Sequence, residues 1–119
     1  MFDRPGVPGI TVQEVAEKRA RGDQFILLDV REPVELHYAG LGDGVTVVPL
    51  SRLAEYQQAA LPEAITADRD AEIVVICHHG NRSAQVTYWL RQQGWTNVYN
   101  MEGGIDAYAA LVDPSVGQY

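Results

Sequence analysis

The sequence predicts an α/β domain built on a largely parallel sheet. Three observations carry that expectation. Apolar runs of strand length alternate with helical patterns along the chain. The run Phe25-Ile26-Leu27-Leu28-Asp29-Val30 is apolar on both faces, as a parallel strand covered by helices is. The chain has 119 residues, 46% of them hydrophobic and 21% charged, which suits one domain with a modest core.

The elements follow in order. Residues 1–9 hold two prolines and two glycines and read as an extended N-terminal arm. Thr11-Val12-Gln13-Glu14 has the capping-box pattern and opens a helix that runs through Ala20 or Arg21, where Gly22 stops it. After the strand over 25–30, Pro33 sits well for the first turn of a short helix. Gly40 to Gly44 is a turn, and Val45 to Leu50 a second strand. Ser51 is placed to cap a helix through about Ala60. Glu72 to Ile76 is the third strand. The next helix ends near Gln93, with Gly94 beyond it. Asn97 to Met101 is a fourth strand, and Gly103-Gly104 turns into a last helix from Ile105 to about Val112. Asp113-Pro114 ends that helix, so the domain spans residues 10–113 and leaves a tail over 114–119.

Bulk properties narrow the function classes. The formal net charge of -7 argues against a nucleic-acid-binding surface, which is normally basic. No stretch reaches the ~18–20 apolar residues of a membrane helix. The N-terminus lacks a basic-then-apolar signal pattern. A single cysteine forms no disulfide within the chain, and a reducing, cytoplasmic location is the expectation.

That cysteine, Cys77, is the focus of the chemistry. It ends the run Ile73-Val74-Val75-Ile76, opens the polar loop His78-His79-Gly80-Asn81-Arg82-Ser83, and precedes a helix. Strand, loop and helix in this order gather backbone N–H groups around one sulfur, and helix N-termini favour the thiolate that acts as nucleophile. Gly80 permits the positive φ such a curl needs. Ser83 is placed to cap the helix, and Arg82 adds a positive charge. Together they suit a thiolate, a bound oxyanion or a persulfide anion. In parallel sheets, sites lie at the carboxyl ends of strands. Asp29 and Cys77 both fall at such ends and share a rim if their strands are neighbours. Adjacent His78 and His79, with His37 far off, do not supply the three or four ligands of a metal site. They are expected to shape the pocket mouth, and either would favour the thiolate if protonated. No cofactor is implied. Trp89, Trp95, Tyr56 and Tyr108 read as packing residues.

The loop Cys77-x-x-Gly80-x-Arg82-Ser83 resembles the active-site loop of single-domain rhodaneses, the persulfide-forming sulfurtransferases. Leu28-Asp29-Val30-Arg31-Glu32 is similar to that family's first strand signature, Val48-Pro49-Leu50 to its second, and Gly94-Trp95 through Gly103-Gly104-Ile105 to its C-terminal one. The resemblance implies a mostly parallel five-stranded sheet with helices on both faces. It implies a thiosulfate sulfurtransferase in which Cys77 takes a sulfane sulfur and passes it to a thiol or cyanide. His78 to Ser83 would form the substrate-binding loop. Asp29, Arg31 and Glu32 would support it, with Arg82 either binding an anionic donor or bracing Asp29 or Glu32. A small sulfur donor and a thiol acceptor are the implied partners. The closing Asp113-Pro114-Ser115-Val116 resembles the end of rhodanese domains fused to sulfur-carrier-activating enzymes, which raises a sulfur-relay role. Two features depart from the family: residues 40–45 lack the usual histidine-containing turn, and Tyr108 stands where tryptophan is usual. Rhodanese-like interaction modules are the competing class, although many have lost the cysteine. The related Cdc25-type phosphatases have one residue more between cysteine and arginine. Here four separate Cys77 from Arg82, and the tighter loop suits a sulfur better than a phosphate.

Overall fold

The computed structural model describes residues 7–119. Five strands form one all-parallel sheet: β1 (Gly9–Ile10), β2 (Ile26–Asp29), β3 (Val45–Val47), β4 (Ile73–Ile76) and β5 (Val98–Met101), in the spatial order β1-β5-β4-β2-β3. Six residues of the expected arm, 1–6, lie outside the described residues. Gly9 belongs to β1, an edge strand of two residues that pairs with Asn100 and Met101.

β4 sits at the centre of the sheet, and its four residues, Ile73 to Ile76, are fully buried. Its side chains alternate between two cores, as strand geometry requires. Ile73 and Val75 join Leu28, Leu53, Ile65, Val86, Leu90 and Trp95 on one face, under α2 (Leu50–Tyr56), α3 (Glu63–Thr66) and α4 (Asn81–Gln92). Val74 and Ile76 join Val12, Val15, Met101, Ile105 and Tyr108 on the other, under α1 (Val12–Arg21) and α5 (Gly104–Leu111). Tyr108, where the resembled family usually has tryptophan, is buried in this second core.

The first helix follows its sequence signals. Thr11 and Glu14 make a reciprocal capping box, and Gly22 closes the helix at φ 73°. Elsewhere local rules lose to partners. Ser51 does not cap α2, whose N-cap is Pro49. Its hydroxyl donates instead to Glu32 Oε1 at 2.7 Å. α2 stops at Tyr56, short of Ala60, because Gln57 takes φ 53° and a 3₁₀ turn over Gln57–Ala60 follows. The second strand ends at Val47, before Pro49, which has no N–H to continue a ladder. α3 was not legible in the sequence: it is a single short turn. Tyr56 is exposed rather than packed, with the Arg52 guanidinium over its ring.

Trp95 anchors the larger core. It is fully buried, and its indole N–H donates to the Ile65 carbonyl at 2.9 Å. Trp95→Ala should lower unfolding free energy by about 3–5 kcal/mol, measured by urea denaturation.

Candidate active site

β2 pairs with β4 so that Asp29 lies beside Ile76, and Val30 N–H donates to the Ile76 carbonyl. The carboxyl ends of the two central strands therefore form one rim, as the sequence required for Asp29 and Cys77 to meet.

Cys77 is 1% exposed. Its sulfur accepts from the Gly80 N–H at 3.1 Å and the Ser83 N–H at 3.3 Å. Two hydrogen bonds from the last helix anchor the start of the loop. Ile105 N–H donates to the Cys77 carbonyl at 2.9 Å, and Asp106 N–H to the His78 carbonyl at 3.0 Å. The loop's first carbonyls are thus held outward by the N-terminus of α5. Gly104 makes this approach possible. A Cβ on it would stand 2.6 Å from the Cys77 carbonyl oxygen, and its φ is 65°. Gly103-Gly104 is thus more than a turn. Gly80 adopts φ 99°, as expected, and serves as N-cap of α4.

Ser83 does not cap α4. It lies inside the first turn, fully buried. Its hydroxyl donates to Asn100 Oδ1 on β5 and lies 3.3 Å from the Cys77 sulfur. Gly80 supplies the cap conformation through its left-handed φ, which frees Ser83 for the sulfur. Asn81 and Arg82 occupy the first turn of the helix, where N–H groups have no intrahelical acceptor.

Arg82 braces neither Asp29 nor Glu32. It makes a two-pronged ion pair with Glu35, Nη1 to Oε2 at 2.6 Å and Nη2 to Oε1 at 2.8 Å. The pair raises the guanidinium's pKa and holds the Glu35 carboxyl down at about 2, with the Arg82 hydrogen bonds the main cause. Glu35 sits on the 3₁₀ turn Pro33–His37 and also accepts from the Glu32 N–H at 2.9 Å. Sequence reasoning missed it: 47 residues separate it from Arg82, and no local charge pattern links them.

Asp29 and Arg31 form a buried pair. The Arg31 side chain is 0% exposed and meets Asp29 through Nε and Nη2, the latter at 2.8 Å. Its Nη1 donates to the Ala39 carbonyl and to the Tyr119 hydroxyl. Glu32 accepts from the Ser51 N–H and hydroxyl.

Tyr119 is the second residue the sequence did not reveal. Its hydroxyl donates to Glu35 Oε1 at 2.8 Å. Its ring stacks on His78 at 3.8 Å and 8°, and His78 stacks in turn on His79 at 3.8 Å. Burial, then the neighbouring His79, push the His78 pKa down, so it stays neutral near pH 7 rather than supplying charge to the thiolate. Asp106 lies 3.9 Å from His79 Nδ1. Among the described residues, no group of three or more His, Cys, Asp or Glu side chains is placed to hold a metal.

A groove of about 270 Å³ runs between α2 and α4, lined by Leu50, Leu53, Val86 and Trp89, and takes in no residue of the loop. No helix among the described residues is long and apolar enough to cross a membrane.

A sequence model described as the rhodanese-like domain matches residues 11–111. The chain is 38% identical, over its whole length, to rhodanese-like/PpiC domain-containing protein 12 of Arabidopsis thaliana, a chloroplastic protein of which it spans 40%. It is 30% identical to the thiosulfate sulfurtransferase GlpE of Pseudomonas entomophila, over 92% of this chain and 91% of that protein. A crystal structure of a rhodanese-related protein from Thermoplasma volcanium superposes with a TM-score of 0.69 at 33% identity, covering 87% of this chain and 91% of that one. The chain belongs to the rhodanese-like family, whose members include sulfurtransferases.

The Glu35 carboxyl has an ordinary pKa of 4.5 and stands at about 2 in the fold. A folded value below the unfolded one adds stability above the unfolded pKa and loses it as pH falls through the folded one. Urea titrations should therefore show stability falling between pH 4.5 and pH 2, with Glu35→Gln flattening that part of the profile.

Proposed function

We propose that this protein is a sulfurtransferase that carries sulfane sulfur on Cys77 between a small donor, thiosulfate or a persulfide, and a thiol acceptor. The observation that carries this reading is the seat of the Cys77 sulfur: two N–H donors already on it, and the N–H groups of Asn81 and Arg82 in the same turn. A sulfur added to Cys77 would extend toward donors of this kind. A negatively charged outer sulfur is held by such fixed dipoles without further reorganisation.

The reaction has two balanced halves. The Cys77 thiolate attacks the outer sulfur of thiosulfate, the S–S bond breaks, and sulfite leaves with the electron pair. With a persulfide donor, R–S–SH, the leaving group is the thiolate RS⁻. In the second half, an acceptor thiolate attacks the outer sulfur on Cys77, and the Cys77 thiolate is restored. Ser83 suits both halves. Its hydroxyl can turn from Asn100 toward the sulfur when charge develops there. His78 and His79 form one wall of the approach.

The chain holds no second cysteine, so the acceptor lies outside these residues. A sulfur-carrier or relay protein is a natural acceptor of this kind. Lone-thiol chemistry of this type belongs in a reducing compartment, and we place the protein in the cytoplasm on that ground.

Intact-protein mass spectrometry after mixing reduced protein with thiosulfate, and separately with a persulfide, tests the reading. Wild type should gain the mass of one sulfur, removable by cyanide or a thiol, and Cys77→Ala should gain none. Absence of the adduct with every donor would overturn the proposal in favour of a rhodanese-like interaction module.

A further inference from the structure

We propose that Glu35 sets the donor specificity of this site. By neutralising Arg82 it disfavours dianionic donors such as thiosulfate and leaves the site to sulfur carried on a thiol, R–S–SH. The inference rests on the sulfurtransferase reading above and narrows its donor class.

Backbone N–H groups can hold an anion, but a dianion gains most from uncommitted positive charge near the reacting sulfur, and both guanidinium groups of this rim are committed. The terminal nitrogens of Arg82 are both bound to Glu35, at 2.6 and 2.8 Å. The carboxyl stands at about 2, so the pair is fully ionised across the working pH range. Arg31 is buried against Asp29. Each positive charge is thus matched by a carboxylate.

The Glu35 carboxylate is also fixed in place. The Glu32 N–H and the Tyr119 hydroxyl both donate to it. Tyr119 is held in turn by Arg31 Nη1 at 3.2 Å and by the stack on His78. For Arg82 to swing toward an anion, it would have to leave a carboxylate that four donors now satisfy. Asp106, beside His79 at 3.9 Å, adds a further acidic group next to the loop histidines. His78 is neutral because burial lowers its pKa. With a chain net charge of -7, the long-range field opposes anions as well.

A thiol-borne persulfide avoids this opposition. Its electrophilic form is neutral at the sulfur that is transferred. The Cys77 thiolate bonds to that outer sulfur, the old S–S bond breaks, and the pair of electrons leaves on RS⁻. The proton of R–S–SH stays on the transferred sulfur until the loop N–H groups favour its loss to solvent.

The test measures kcat/KM for Cys77 persulfide formation with two donors, thiosulfate and the cationic cysteamine persulfide, in wild type and Glu35→Gln. In wild type, the thiosulfate value should rise with ionic strength as repulsion is screened. Glu35→Gln should raise the thiosulfate-to-persulfide ratio roughly tenfold, the scale of one uncovered charge acting on a dianion at partly exposed range. A wild-type thiosulfate value that falls or stays flat with salt overturns the proposal, and this measurement stands even if the variant folds poorly. So does an unchanged donor ratio in a folded Glu35→Gln protein. Failure of both donors to load Cys77 is a different result, since it removes the sulfurtransferase reading itself.

Discussion

Two hydrogen bonds from the last helix govern the cysteine loop. Ile105 and Asp106 N–H groups hold the carbonyls of Cys77 and His78 outward. A peptide whose carbonyl is fixed on one side presents its N–H on the other. The fixed carbonyls of Cys77 and His78 set the His78 and His79 peptides in this way, and the chain then turns at Gly80, with φ 99°, so that the Gly80 and Ser83 N–H groups reach the sulfur. This arrangement depends on Gly104, where any side chain would collide with the Cys77 carbonyl. It depends also on β5, which delivers Gly103-Gly104 beside β4. The parallel sheet thus brings two consecutive β–α junctions together at one rim, and one junction shapes the other.

A second layer surrounds the first. From Asp29 a continuous chain of charged and polar groups runs through Arg31, the Tyr119 hydroxyl and Glu35 to Arg82. It ties the end of β2, the 3₁₀ turn after it and the segment beyond α5 to the first turn of α4. Breaking a buried pair such as Asp29–Arg31 leaves an uncompensated charge, which costs far more than the pair contributes. The network fixes geometry more than it adds stability. Its electrostatic effect is to cancel positive charge beside the sulfur, so that backbone N–H groups, rather than side chains, carry the interaction with the reacting atom.

The sequence showed the β–α order, the capping box at Thr11, the stop at Gly22 and the curl at Gly80, because each is written in neighbouring residues. β1 escaped because two residues carry no periodicity. Ser51 and Ser83 looked like caps, and each instead hydrogen-bonds a side chain distant in sequence. Glu35 and Tyr119 were hidden for the same reason: their partners lie 47 and 84 residues away. The motif-level resemblance pointed to the loop and left Arg82 either to bind an anionic donor or to brace Asp29 or Glu32, whereas its carboxylate partner is Glu35. Local rules read local structure, and the charge balance of the site is a tertiary property.

On this reading the loop N–H groups hold the transferred sulfur. Backbone amide NMR before and after loading Cys77 with sulfur tests it most directly. The largest changes are expected at Gly80, Asn81, Arg82 and Ser83, with amide protons moving downfield as each meets a more anionic acceptor. A loaded protein, verified by mass, whose amides over 80–83 stay unmoved would contradict it.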